Sequence, residues 1–284
     1  MRKSIKNLLS LILVIIVALS GCSGQAGNPE QKSEKEQIVG TEKQSILING
    51  STSVQPLAEE LAAAYKEINP NAIIDIQSGG SGVGIKSAMD GVVDIGMSSR
   101  ELKTDEKTLK EFKIATDGIA VILNSQNPVN DLTLEQLRQI YAGEITNWKE
   151  VGGNDAAITV VTREEGSGTR GAFTELTGLE LVLSSAITQG STGAVMTTIT
   201  SDANSIGYAS YGSVKDNANL KLISIDGAAC NEENIYAGNY KISRPFLMVT
   251  KEEPTGLAKD FIDFILSDEG QQIVEENNYL KTNK

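Results

Sequence analysis

Short apolar runs alternate with stretches of helical period along most of the chain, and this alternation most narrowly limits what it can fold into. Strands that take turns with helices build a parallel or mixed sheet covered by helices. Residues 45–49 read as a short buried strand. Val54, Leu57, Leu61, Tyr65 and Ile68 then recur at helical spacing until Asn69-Pro70 stops the helix. Residues 73–76 form a second expected strand, followed by a Gly/Ser loop over 78–84 and a short helix to about Asp90. Residues 92–97 and 119–123 are the third and fourth. A second set follows: a helix from Thr133, with Gln136 completing a capping box, a strand at 158–161 and a helix at 169–176. Residues 195–199 read as helical, and 206–208, 220–225 and 246–249 as strands. Helices over 256–266 and 269–277 close the chain. The pattern is α/β, in two lobes, with no repeat of fixed period.

Three of the strand-to-helix junctions share one composition. They are Asn49-Gly50-Ser51-Thr52-Ser53, the run from Ser78 to Gly84, and the run from Arg163 to Thr169. A helix start leaves backbone N–H groups unpaired and carries partial positive charge, so it attracts anions. Glycine lets the backbone approach a ligand, and Ser or Thr adds a hydroxyl at the same distance. One such junction alone is no more than a capped helix. Three together, with an Arg four residues before Ser167, point to a converging site for a tetrahedral oxyanion. Other motifs fail. Ile85 stands where a dinucleotide loop needs its third Gly, and Lys86-Ser87 lacks the Gly of a phosphate loop. Neither Ser81 nor Ser167 has the flanks of a hydrolase nucleophile elbow.

Composition removes whole classes of function. The 284 residues carry a net charge of −12, against a nucleic-acid binder, which needs a basic face. There is no His, which takes away the commonest general base and most zinc sites, and two Cys cannot make a disulfide framework. No cofactor or metal is expected, and a binding protein is favoured over an enzyme. At the N-terminus Arg2, Lys3 and Lys6 precede an apolar run over 8–19 interrupted only by Ser10, too short to span a bilayer and suited to a signal peptide over 1–21. It ends in Leu19-Ser20-Gly21-Cys22, which resembles a bacterial lipobox, and that resemblance implies lipidation of Cys22. An ordinary secreted protein with an incidental Cys is the alternative. Residues 22–44 then read as a lipidated Cys and a flexible tether of low hydrophobicity, with a reach on the order of 25 Å.

At this point the residues resemble the phosphate-binding lipoproteins of bacterial phosphate-specific ABC importers, of the kind found in Gram-positive species. The likeness runs from about Ile46 to the C-terminus. It is carried by Gly50-Ser51-Thr52-Ser53-Val54 with Pro56, Gly80-Ser81-Gly82, Asp94 to Arg100, Asp117 to Val121, Ile140 to Trp148, Arg163 to Thr169, and Ile206-Gly207-Tyr208. The resemblance implies a class II periplasmic-binding-protein fold, two α/β lobes joined by two crossover segments with the ligand in the cleft. Lobe I would hold residues 45–123 plus 241–284, and lobe II residues 124–240. The implied phosphate ligands are Thr52, the backbone N–H of Ser53, Ser81, Arg163, Ser167, Gly168 and Thr169. Some relatives carry an acidic residue where this chain has Ser99. Asp117, at the start of the first crossover strand, looks like its replacement as the carboxylate acceptor. The expected partners are inorganic phosphate, the permease subunits of an ABC importer and the membrane, with the protein a monomer.

An ionised acceptor beside the anion would reward the P–OH proton and repel sulfate, which has none near neutral pH. Arg163 would clamp two oxygens with its planar fork. The competing readings are a surface ion pair of Arg163 with Glu164 or Glu165, and a solvated Asp117 capping its own turn. Trp148 reads as packing and Cys230 as a buried, inert thiol. Arg100 either supports the cleft or pairs with Glu101. A receptor for sulfate or molybdate and, less favoured, a secreted phosphatase using Ser81 or Ser167 are the alternative functions.

Overall fold

The computed structural model describes residues 44–282. Its strands are β1 Ser45–Gly50, β2 Ile73–Ser78, β3 Ile95–Ser98, β4 Lys110–Asn124, β5 Asp131–Leu132, β6 Thr159–Arg163, β7 Ile187–Gln189, β8 Ser205–Ser210, β9 Leu220–Leu222, β10 Ser224–Ile225 and β11 Ser243–Thr250. The helices are α1 Gln55–Ile68, α2 Ser81–Asp90, α3 Leu134–Ala142, α4 Gly168–Thr177, α5 Thr192–Ser201, α6 Tyr211–Val214, α7 Glu232–Tyr236, α8 Gly256–Leu266 and α9 Asp268–Glu276. Strands lie in the order β2-β1-β3-β11-β4-β8-β6-β7, with β9 also on β4. Among the described residues no helix is long and apolar enough to cross a membrane.

The strand β4 organises the molecule. Residues Lys110 to Gly118 pair antiparallel with β11, and Ile119 to Leu123 pair with β8. One continuous strand thus runs through both parts of the sheet, and the cores change where it passes from one to the other. Ile46, Leu57, Leu61, Ile95, Ala115, Phe246 and Phe261 belong to one core. Ile119, Val121, Leu137, Trp148, Phe173, Tyr208 and Ile242 belong to another. The chain therefore crosses between halves near 115–119 and again near 242–246. In the first half β1 pairs parallel with β2 and β3. In the second, β6 pairs parallel with β7 and β8.

Local chemistry explains most elements. Leu57, Ala58, Leu61 and Tyr65 line the buried face of α1, where Tyr65 meets Phe261 and Phe264 at ring separations of 5.6 and 5.3 Å. Burying each large apolar side chain there contributes about 1.5–3 kcal/mol. The capping box of α3 forms as expected: Gln136 N–H donates to Thr133 Oγ1 at 3.0 Å, and Thr133 N–H to Gln136 Oε1 at 2.9 Å. Trp148 is buried, and its indole N–H donates to Asn204 O at 2.9 Å.

Several expected strands differ in extent. The strand expected at 119–123 begins nine residues earlier, at Lys110. Its first part has exposed, largely charged positions, so no apolar run announces it. The strand expected at 92–97 starts only at Ile95, because Asp94 turns its carboxylate onto the Leu47 N–H at 2.7 Å. The run at 220–225 splits at Ile223, β9 pairing with β4 and β10 with β5.

Candidate anion site

The parallel strands of both halves end at the same place, and the helices that follow them start there. This is where open α/β sheets bind ligands, outside the carboxyl ends of their strands. From the first half come the turn after β1, with Ser51, Thr52 and Ser53, the start of α2 at Ser81, and Ser99 just beyond β3. From the second come Arg163 at the end of β6, Ser167, Gly168 and Thr169 at the start of α4, and Thr192 at the start of α5. Two glycines permit the approach. A Cβ on Gly84 would lie 2.6 Å from Asn49 O and 2.8 Å from Met97 O, so only glycine lets α2 lie on the backbones of β1 and β3. A Cβ on Gly168 would lie 2.2 Å from Ser81 Oγ and 2.9 Å from Ser99 Oγ. Gly168 is thus one point at which the halves touch, next to the Gly82 N–H that donates to Gly166 O at 2.9 Å.

The hydroxyls form one buried cluster across that contact. Ser53 Oγ is 2.8 Å from Thr169 Oγ1 and 3.0 Å from Thr192 Oγ1. Ser99 Oγ is 3.3 Å from Ser81 Oγ and 3.5 Å from Thr169 Oγ1. Ser51 Oγ accepts the N–H groups of Ser53 and Val54 at 3.2 and 3.3 Å and donates its own proton to Ser99 Oγ at 2.9 Å. Ser81 Oγ accepts the Ser99 N–H at 3.0 Å, and Ser167 Oγ caps α4 by accepting the Arg170 N–H at 3.2 Å. A hydroxyl whose lone pairs are taken by N–H donors keeps its proton to give.

Arg163 enters this cluster 2% exposed. It donates from Nη2 to Thr52 Oγ1 at 3.2 Å and from Nη1 to Thr192 Oγ1 at 3.4 Å. Glu164 grips the other edge, accepting from Nε at 2.9 Å and from Nη2 at 2.8 Å. The expected alternative of an ion pair with Glu164 is therefore present, but the guanidinium it holds is buried in the site and not on the surface. Tyr208 steadies the strand beneath: its hydroxyl accepts the Arg163 N–H at 3.2 Å, and its ring stacks on Phe173 at 4.1 Å. Burial pushes the Tyr208 phenol above its ordinary value, against hydrogen bonds from Thr162 and Arg163.

Two expected contributors lie differently. The Ser53 N–H, assigned to the ligand from the resemblance, donates to Ser51 Oγ, so Ser53 reaches the cluster through its hydroxyl. Asp117 lies in the middle of β4, fully buried, with Oδ2 accepting from Arg244 Nη2 at 2.8 Å. Its Oδ1 accepts from Ser210 Oγ at 3.0 Å and the Gly212 N–H at 3.4 Å. Arg244 Nη1 donates to Ser99 O at 3.3 Å, so Asp117 reaches the cluster through Arg244 and Ser99. Complete burial pushes its carboxyl above the usual carboxylate range, with the Arg244 guanidinium pulling the other way.

Arg244 and Thr192 were missed from the sequence. An Arg inside the apolar strand over 243–250 demands a buried partner, which was the available signal. Gly190-Ser191-Thr192-Gly193 repeats the small-hydroxyl composition of the three junctions that were recognised. Arg100 pairs with Glu106, at 2.7 and 2.8 Å through both nitrogens, and gives only a carbonyl contact to Glu101. Cys230 is buried, and burial pushes its thiol far above the ordinary range. Cys22 and the expected signal and tether segments lie outside the described residues. No group of metal-ligating side chains occurs among the described residues.

Residues 29–269 match the model of the PBP superfamily domain. The phosphate-binding protein PstS of Bacillus subtilis strain 168 is 36% identical over 259 residues, 88% of this chain and 85% of that protein. The chain belongs to the PstS family. Two solved structures agree with this membership. A candidate phosphate ABC transporter substrate-binding protein from Clostridium perfringens, with bound phosphate, is 46% identical with a TM-score of 0.82, over 84% of this chain and all (100%) of that one. An ABC-type phosphate transport receptor from Vibrio cholerae is 39% identical with a TM-score of 0.70, over 83% and 99%. The class II periplasmic-binding-protein fold expected from the resemblance is the fold that these solved structures share with the chain.

Proposed function

We propose that the chain is an extracytoplasmic receptor that binds inorganic phosphate between its two halves and delivers it to the permease subunits of an ABC importer. The observation that carries this reading is the buried cluster of Ser53, Ser81, Ser99, Thr169 and Thr192 hydroxyls at the junction of the halves, joined through Thr192 to a buried Arg163 that also meets Thr52. The names of the PstS relatives support the same ligand and the same assembly. Thr52, Ser81, Ser167 and Thr169 would donate from hydroxyls, Gly168 from its N–H at the start of α4, and Arg163 from its guanidinium. With Glu164 already paired to Arg163, most of the attraction falls to short-range dipoles, which the acidic surface, screened beyond ~10 Å, does little to oppose.

Closure of lobe I, 45–123 plus 241–284, on lobe II, 124–240, would bury the anion and present a closed face to the permease. The change of core at 115–119 and 242–246 supports boundaries near these. In this reading residues 1–21 are a signal peptide, Cys22 carries the lipid, residues 22–44 are the tether, and the receptor acts as a monomer at the outer face of the membrane. It is a receptor and not an enzyme.

Calorimetric titration with phosphate, arsenate and sulfate tests the reading. Phosphate and arsenate are expected to bind at one site, and sulfate far more weakly. Displacement of phosphate by an equal concentration of sulfate would make the protein a receptor for another oxyanion. Turnover of a chromogenic phosphate ester would revive the phosphatase.

A further inference from the structure

The Thr52 hydroxyl has two lone pairs and one proton. Arg163 Nη2 donates to it at 3.2 Å and the Thr192 N–H at 3.3 Å, so both acceptor positions are filled and its proton is left to give. Thr192 Oγ1 accepts from Arg163 Nη1 at 3.4 Å, and lies 3.0 Å from Ser53 Oγ and 3.3 Å from Thr52 Oγ1. One residue therefore touches three members of the site, and two of them, Thr52 and Ser53, belong to the other half of the molecule. Thr192 is held in place by its neighbour, since Ser191 Oγ caps α5 by accepting the Ala194 N–H at 3.1 Å. Its own side chain is buried. Thr52 and Thr192 also line a cavity of about 520 Å³ that reaches out past Pro56, Met196 and Tyr279. Their mutual contact thus lies at the edge of that cavity.

We propose that Thr192 is a positioning residue of the anion site. It fixes the Arg163 guanidinium and turns the Thr52 proton toward a bound anion, and it latches the two halves on the side of this cavity. The proposal rests on the phosphate reading above. Without the Thr192 hydroxyl, Arg163 Nη1 and Ser53 Oγ each lose a partner and the latch is left with a single N–H. A bound anion then escapes faster, while capture by the open cleft is unaffected.

The test uses the full-length chain and three variants, Thr192→Val, Thr192→Ala and Thr192→Ser. Equilibrium binding of inorganic phosphate, its stopped-flow dissociation rate and ligand-free thermal unfolding are measured on each. Val and Ala are expected to raise Kd at least about tenfold, nearly all of it in the dissociation rate, while Ser, which restores the hydroxyl, stays within about threefold of the parent. Ligand-free melting is expected to stay within a few degrees of the parent for Ala and closer still for Ser, so both remain folded and keep the test intact should Val fold poorly. Equal dissociation from Ala and the parent, a loss confined to the association rate, or a Ser variant as weak as Ala would overturn the proposal. Failure of the parent chain to bind phosphate would instead overturn the receptor reading on which it rests.

Discussion

Replacing Asp117 by Asn is expected to damage the hinge more than the ligand's recognition. The carboxylate and the Arg244 guanidinium are both buried, 2.8 Å apart, on the two strands that connect the halves. Asn keeps the size of the side chain and can still meet Ser210, so what it removes is the charge. Arg244 is then left buried without a counter-ion, and breaking such a pair costs about 3–5 kcal/mol. For a folded unit of this size 1 kcal/mol corresponds to roughly 2–4 °C in Tm, so Asp117→Asn should melt on the order of 10 °C below the parent. Arg244→Met should cost a similar amount. The double variant should lose clearly less than the sum, because neither charge is then left alone. Thermal and urea unfolding followed by circular dichroism give these values, and phosphate–sulfate competition on the same samples gives the selectivity. A destabilisation below about 1 kcal/mol, together with displacement of phosphate by an equal concentration of sulfate, would refute the reasoning. Asp117 would then be the acceptor of the ligand's proton, as the resemblance suggested, and not the clasp that holds Ser99 through Arg244.

Arg163→Ala should weaken phosphate binding by at least about 2 kcal/mol, roughly 30-fold, because a buried charge-assisted donor is lost; calorimetry reads it directly. Gly168→Ala places a methyl 2.2 Å from Ser81 Oγ, so the halves should fail to close and phosphate should no longer shrink the radius of gyration in solution scattering. Glu106 has a lowered pKa: burial alone would raise it, but the Arg100 guanidinium and the Lys103 N–H outweigh that. A carboxyl held lower in the folded state than in the unfolded chain stabilises at neutral pH, and that contribution fades as pH falls through its folded-state pKa. The melting difference between the parent and Arg100→Ala should therefore shrink between pH 7 and pH 3.

Most of the site was readable because its chemistry is local. Ser51 to Ser53, Ser81, and Ser167 to Thr169 each sit where a strand gives way to a helix, and the residue types needed there are few. Arg163 was readable from its spacing to Ser167. What escaped depends on pairing across the chain. Asp117 and Arg244 face each other over 127 residues of sequence, and neither composition nor period encodes that register. The first nine residues of β4 escaped for a related reason: a strand with one charged, solvent-facing side and a partner far away in sequence shows no apolar run. Thr192 carried the right local signal, but the three-residue strand before it is too short to announce a junction.

A crystal structure grown with arsenate, located by the anomalous scattering of arsenic, tests the central claim most directly. Arsenate has the tetrahedral shape and charge of phosphate. The arsenic is expected between the two halves, with its oxygens within about 3.2 Å of Thr52, Ser81, Arg163, Ser167 and Thr169. An arsenic atom bound elsewhere, or a cleft that stays closed on itself while arsenate binds in solution, would contradict the account.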